Sequence, residues 1–366
     1  MQVLKNLVII AFAVASMILP TASFAAVIRE DHCTLQQQTG VPLYVWRDPA
    51  VSRPRAILIA VHGSAQEAGV METLARDLIP HGYFVVAPDV RGNGRWQTSN
   101  APAQMADVEL MESCMDVSRM LVILSRDYPG TDMFCLGESI GAGVVLKAVS
   151  WNPQLVKGVI LVSAGVRPHI HNPLNMGSSF LKKMALLVEP VDLTDYVTRY
   201  CSEDPRVVKE MLNDPLAKNR QSGLDLIGTF AFLRQEPQFA AAMPSNIPVL
   251  AIQGTADQVV DPASVNELLN ALQTPEKQLV IIPGCGHIII GTSFMKPMVL
   301  ACINQWLQAH ESIPSEKFAG NHVRTNGEAN PRWDNNLIDP GDFSQQQNQN
   351  GMSSIEHATS EKRPKN

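Results

Sequence analysis

The chain is short of positive charge, of closely spaced cysteine pairs and of long apolar segments, and each shortage removes a class of protein. Basic residues number 29 against 35 acidic ones, a net charge of −6, whereas a nucleic-acid binder carries the opposite excess clustered on one face. The six cysteines include no Cys-x-x-Cys pair, which excludes zinc ribbons and thioredoxin-type sites. No stretch reaches the roughly 20 apolar residues of a membrane-spanning helix. Charged residues make up only 17% of the 366, while 45% are hydrophobic. That balance supports a sizeable core and excludes a chain disordered throughout.

The two ends differ from the middle. Lys5 is the sole charge in residues 1–25, Leu7–Leu19 is apolar, and Ser23-Phe24-Ala25 puts small residues at positions −3 and −1 of a cleavage site. This is the layout of a secretory signal peptide cut after Ala25, and it predicts a secreted or periplasmic protein. In residues 312–366 large apolar side chains are sparse, and Gln345-Gln346-Gln347-Asn348-Gln349-Asn350 is polar throughout. Such a segment cannot offset its ordering entropy and is expected to be a disordered polar tail. A single folded body is expected over residues 26–311.

Within that body Ala56–Val61 is a short, continuously apolar run, as expected of a strand buried on both faces of a parallel sheet. Similar runs recur at Tyr83–Ala87, Met133–Leu136, Val159–Val162, Val249–Ile252 and Leu279–Ile282. Between them lie helical patterns, with Val70, Leu74, Leu78 and Ile79 on one face, and more loosely Val108, Met111, Met115, Met120 and Leu121. This alternation predicts an α/β fold with a mostly parallel, doubly wound sheet. It breaks over residues 165–244, where helices are expected at Pro205–Leu212, entered through an Asp204 cap and a first-turn proline, and at Gly223–Arg234. A helical insertion of this kind is expected to form a lid over the carboxyl ends of the strands.

Phe134–Gly143 carries the strongest chemical signal. A buried strand runs into Gly137-Glu138-Ser139-Ile140-Gly141 and on into a helix pattern. The turn is sharp, needs glycine on both sides, and presents the Ser139 hydroxyl at the amino end of a helix. A serine hydroxyl needs a base. With the base expected late in the chain, His287 qualifies because it follows the strand Leu279–Ile282 in a Pro-Gly-Cys-Gly-His loop, while His310 ends the last helix among polar residues and is expected to face solvent. The carboxylate that fixes the imidazole tautomer is Asp257, just past Val249–Ile252. Asp261 is the rival, but Asp261-Pro262-Ala263-Ser264 reads as a helix cap. Oxyanion donors are expected at the backbone N–H of Ile140 and of Ser64, in the loop His62-Gly63-Ser64-Ala65. His62 is expected to support that loop.

From about Ile57 to Leu307 the body resembles the monoacylglycerol lipase and lysophospholipase group of α/β hydrolases, also grouped with serine aminopeptidase-like hydrolases. The resemblance rests on His62-Gly63-Ser64, on Gly82-Tyr83 through Ala87-Pro88-Asp89-Val90-Arg91-Gly92, on Gly137–Gly141, and on Asp204-Pro205-Arg206-Val207-Val208 followed by Asn213-Asp214-Pro215-Leu216. It implies the α/β hydrolase fold and hydrolysis of lipid-like or medium-chain carboxylic esters by Ser139, His287 and Asp257, with no metal and no organic cofactor. Two departures bear on substrate preference. Asn93 stands where the group carries histidine, and Ala65-Gln66-Glu67 replaces the usual Gly-Glu-His continuation.

The partner expected is a small ester or lipid, with a transient membrane-surface contact through the insertion and no nucleic acid. A peptidase or amidase on the same fold, and a catalytically silent protein that holds an acyl ligand, are the alternatives. The first lacks a Gly-Gly-Pro oxyanion loop. The cysteines show no pairing in the sequence; Cys135 is expected as a free, buried side chain, and a bridge from Cys285 would brace the loop of His287. Phe180, Met184, Leu186, Leu187, Phe230 and Phe232 are candidates to line an acyl pocket.

Overall fold

The computed structural model describes residues 27–97, 108–169 and 190–312. Its strands are β1 (Ile28–Glu30), β2 (Leu43–Arg47), β3 (Ala56–Val61), β4 (Tyr83–Pro88), β5 (Asp132–Glu138), β6 (Gly158–Val162), β7 (Pro190–Asp192), β8 (Arg220–Ser222), β9 (Val249–Gly254) and β10 (Lys277–Ile282). Eight of them form one sheet in the order β1-β2-β4-β3-β5-β6-β9-β10. The pairs from β4 to β10 are parallel, and β1–β2 and β2–β4 are antiparallel. The fold is that of an α/β hydrolase. Each of the six apolar runs is a strand of this sheet. The antiparallel pair β1 and β2 went unread, because β2 is five residues long and lies in a polar, proline-punctuated stretch outside the repeating pattern.

Continuous apolarity in the inner strands follows from the two-residue repeat of a strand. In β3, Ile57, Ile59 and Val61 pack under the helices Leu110–Asp127 and Ile140–Trp151, whereas Ala56, Leu58 and Ala60 face the helices Glu72–Leu78 and Pro297–His310. Each large side chain so buried contributes on the order of 1.5–3 kcal/mol before entropy is counted. That is why no charge interrupts the apolar runs within these strands.

Two helical faces differ from expectation. The buried face of Leu110–Asp127 is made by Leu110, Cys114, Val117, Met120, Leu121 and Leu124, so Met120 and Leu121 are placed as expected, whereas Met111 and Met115 are turned to solvent. Those two methionines sit one position off the true stripe. His310 does not face solvent either: it is half-buried, with Nδ1 2.7 Å from the Trp306 carbonyl and its ring stacked near the indole at 4.2 Å.

Between β6 and β9 the chain leaves the sheet. The described part of this insertion contains the short pair β7–β8 and the helices Pro205–Asn213, Gly223–Leu233 and Glu236–Ala241. Asp204 caps the first of these as expected, accepting from the Arg206 N–H. Ser222 caps the second, in a reciprocal box with Asp225. Phe180, Met184, Leu186 and Leu187, the expected signal-peptide segment 1–25 and the tail beyond residue 312 lie outside the described residues. Ser312 itself is tied to the body through Oγ, 3.0 Å from Asp132. Among the described residues no helix is long and apolar enough to cross a membrane, and all six cysteines are free, so no bridge from Cys285 braces the loop of His287.

Candidate active site

Ser139 occupies the turn between β5 and the helix Ile140–Trp151, with φ 56° and ψ −122°. A left-handed backbone is costly for a residue with a side chain and is retained where the surroundings enforce it. Here the enforcement is close packing. A Cβ on Gly137 would run into the Gly141 carbonyl, and one on Gly141 into the Val61 carbonyl at the end of β3. The Ser139 N–H is anchored 2.9 Å from the Val162 carbonyl of β6. The hydroxyl therefore stands above the sheet at the start of a helix.

His287 meets it there. Its Nε2 lies 2.9 Å from Ser139 Oγ, and its Nδ1 lies 2.8 Å from Asp257 Oδ2. All three residues are buried. Asp257 follows β9, and its second oxygen accepts from the N–H groups of Val259 and Val260 at 2.9 and 3.0 Å. Asp261 is elsewhere, capping Ala263 N–H at 3.0 Å and pairing with Arg167.

Burial acts to lower the pKa of His287, but the charge and hydrogen bond of Asp257, with Glu138 behind them, outweigh it and raise the pKa above its ordinary value. For Asp257 burial acts upward, and the same pairing together with the two N–H bonds lowers the pKa below the usual carboxylate range. The pair thus favours carboxylate beside an imidazole ready to accept a proton from the serine.

The loop after β3 passes directly over Ser139. His62 is fully buried and committed to backbone: Val90 N–H donates to its Nε2 at 2.9 Å, so Nδ1 carries the proton and donates to the Gly63 carbonyl at 2.7 Å. Burial lowers its pKa and keeps it neutral. It props the loop and has no free nitrogen for proton transfer. Ser64 lines the same cavity as Ile140, which is the first residue of its helix and so has an N–H with no intrahelical partner. The insertion reaches this loop twice, with Gln221 Nε2 donating to Ser64 Oγ at 3.1 Å and Lys218 N–H to the Ala65 carbonyl at 3.0 Å.

The cavity that opens from Ser139 and His287 measures about 290 Å³. Its walls are mainly apolar and come largely from the insertion, including Leu193, Val197, Met211, Leu226, Phe230 and Leu233. Phe230 is there as expected. Phe232 is not: it is buried against Phe239, at a ring distance of 5.4 Å, in the core beside the helix Ile140–Trp151. Two neighbours on a helix point to different sides, and only tertiary contact says which is pocket.

Comparison with known proteins gives a family match, to serine aminopeptidase, S33, over residues 52–292. The chain belongs to that family of α/β hydrolases. It is 27% identical over 262 residues to the monoacylglycerol lipase of Mycolicibacterium smegmatis, covering 70% of this chain and 89% of the relative. To the human monoglyceride lipase it is 25% identical over 237 residues, or 64% and 76% of the two chains. Among solved structures, a soluble variant of the Saccharomyces cerevisiae monoglyceride lipase superposes with a TM-score of 0.61 at 18% identity, over 74% of this chain and 92% of that one. The Paleococcus ferrophilus monoacylglycerol lipase superposes with a TM-score of 0.55 at 22% identity, over 70% and 96%.

For this S33 family member, both departures seen in the sequence fall largely outside the cavity. Asn93 is fully buried in the turn after β4, its Nδ2 near the Arg91 carbonyl, and is absent from the cavity wall. Of the other three, only Ala65 lines the cavity. Sequence reading missed several residues around His287. Gln253 Nε2 donates to Asp257 Oδ2 at 3.0 Å, and Ser163 Oγ donates to the His287 carbonyl at 2.5 Å. Both sit at or just past strand ends, the one signal that could have marked them.

Proposed function

We propose that the protein is a serine hydrolase of carboxylic esters, with lipid-like or medium-chain acyl esters as substrates and an acyl-enzyme on Ser139 as intermediate. The observation that carries this reading is the Ser139–His287–Asp257 hydrogen-bonded line opening into an apolar cavity. His287 takes the hydroxyl proton as Ser139 Oγ attacks the ester carbonyl, and later gives it to the departing alcohol. Water, activated by the same imidazole, then releases the acid. The N–H groups of Ser64 and Ile140 receive the negative oxygen of the tetrahedral intermediate. The names of the curated relatives support a monoacylglycerol or similar ester. The insertion acts as the lid, and Leu224, Ile227 and Phe230, exposed on its helix Gly223–Leu233 and continuous with the cavity through Phe230, form the contact with a lipid surface.

The family description favours aminopeptidase activity as the second reading. An aminopeptidase needs an anion near the scissile bond to hold the substrate ammonium group, and among the described residues the cavity wall contains no aspartate or glutamate. A fluorophosphonate probe should label Ser139, and esters should be turned over far faster than aminoacyl amides. An unlabelled Ser139 would leave a protein that only holds an acyl ligand, and preferred amide turnover would reverse the substrate assignment.

The choice of acid has its own test. Asp257→Asn should lower kcat by about 10³- to 10⁴-fold, because the wrong imidazole tautomer would then be held toward the serine, whereas Asp261→Asn should cost about twofold or less. A larger loss in Asp261→Asn, at unchanged stability, would reverse the assignment.

Each methylene placed in the cavity is worth on the order of 0.8 kcal/mol. Measured across a p-nitrophenyl ester series, kcat/KM should therefore rise by about three- to fourfold per added carbon from acetyl to medium chains, until the cavity is full. A steady fall from acetate upward would reduce the reading to a small-acyl esterase. We infer also that residues 1–25 are an export signal cut after Ala25. Mass spectrometry of exported protein should find Ala26 at the amino terminus, and an intact Met1 on that protein would refute this.

A further inference from the structure

Three consecutive backbone N–H groups converge on one fully buried carboxylate beneath the site. Ile289 and Ile290 donate to Glu138 Oε1, both at 2.8 Å, and Gly291 donates to Oε2 at 3.0 Å. Glu138 immediately precedes Ser139, and residues 289–291 follow His287 in a stretch that is neither helix nor strand. Gln66 adds a second link, its Nε2 donating to the Gly291 carbonyl at 2.9 Å while its Oε1 accepts from Gly63 N–H at 3.1 Å. The serine turn, the histidine loop and the oxyanion loop are thereby tied together by two side chains.

We propose that Glu138 is a positioning residue, which holds His287 within reach of Ser139 through the backbone of residues 289–291 and keeps a second negative charge behind the imidazole when it is protonated. This rests on the reading of His287 as the base. A buried carboxylate without compensation is expensive, and the three N–H donors supply that compensation. Both oxygens face donors, an arrangement that the ionised form satisfies and an O–H would oppose. Burial holds the pKa of Glu138 above its ordinary value, and the N–H groups with His287 limit that rise.

Tyr196, Cys201 and His169 share the cavity wall with the ring, and burial raises the pKa of Tyr196 and of Cys201, which favours their uncharged forms. Asp257 faces Nδ1, Ser139 faces Nε2, and Glu138 lies behind the following backbone. Glu203 sits on the outer side of the same loop, accepting from Gly286 N–H at 2.6 Å and paired with Lys296 at 2.8 Å. Gln66, beside Gly291, is neutral. Among the described residues Glu138 is thus the anion besides Asp257 that reaches the imidazole from within the core, and its charge adds to that of Asp257 in raising the pKa of His287.

The test is Glu138→Gln, read by kcat/KM against pH and by an NMR titration of the His287 ring. The glutamine keeps one oxygen for Ile289 and Ile290, turns an NH₂ against Gly291 N–H and removes the charge. Because a nearby anion favours the imidazolium, its loss should move both the acid limb and the ring titration to lower pH by about half a unit to one unit. We expect kcat to fall about tenfold with KM within about twofold. An unshifted ring titration in the folded variant overturns the proposal even if activity drops, since a purely structural role would lower activity without moving the limb. The ring titration needs no turnover, so a wild-type protein that hydrolyses no ester would refute the proposed function separately. Should the variant not fold, hydrogen exchange in the wild-type protein decides: the amides of Ile289, Ile290 and Gly291 should be protected as well as those of the inner strands, and exchange at free-loop rates overturns the proposal.

Discussion

Ser139→Ala should abolish ester hydrolysis, by about 10⁴-fold or more, and leave the melting temperature within about 2 °C of wild type. The loss is large because Ser139 Oγ is the hydroxyl that His287 Nε2 holds, at 2.9 Å. His62, the other buried histidine near the site, has both ring nitrogens tied to backbone. The stability change is small because alanine meets the same steric cost as serine at φ 56°. The one interaction lost is the hydroxyl's bond to His287, while the His287–Asp257 pair remains. Purified Ser139→Ala with retained turnover would refute the nucleophile assignment.

Gly141→Ala should be, with Gly137→Ala and Gly254→Ala, among the most damaging single methyls in the described residues. The added Cβ would meet the Val61 carbonyl and lie 2.8 Å from the His62 carbonyl. Both are backbone atoms, so no rotation of a side chain relieves the clash, and β3 or the serine turn must move. We expect a loss of about 3 kcal/mol or more, seen as a fall in melting temperature of about 6–12 °C. Activity should drop with it, because the Ser64 loop and the Ile140 N–H would shift apart. Gly228→Ala is the control. Nothing lies within 4 Å of its Cβ position, and in the helix Gly223–Leu233 the methyl should be neutral or stabilise by up to about 1 kcal/mol. Equal thermal shifts in the two variants would show that close packing at the turn is not what enforces its geometry.

What was legible in the amino-acid sequence is what depends on near neighbours. The runs at β3, β5, β6 and β9 read as two-faced strands because inner strands of a parallel sheet bury every side chain, and their lack of charge is visible without a structure. The turn at Ser139 was legible for a similar reason: a strand, two glycines and a helix pattern fall within ten residues. His287 and Asp257 could be named from chain order and their positions after strands. Asp261 could be set aside because a cap followed by proline is itself a local pattern.

Tertiary structure decided the rest, because the partners are far apart along the chain. Glu138 bonds residues 151 to 153 positions away, Gln66 bonds one 225 away, and Gln221 bonds one 157 away. No local periodicity records such pairings, since they exist only once loops between distant strands have closed. The same holds for Phe230 and Phe232, whose spacing alone cannot assign one to the cavity and the other to the core, and for Met111 and Met115, turned outward although apolar. Amino-acid order determined which elements form and which residue types the chemistry has available. The distances from Ser139 to His287 and from His287 to Asp257, and the buried carboxylate beneath them, were decided by how the ends of β5, β9 and β10 come together at one edge of a single sheet.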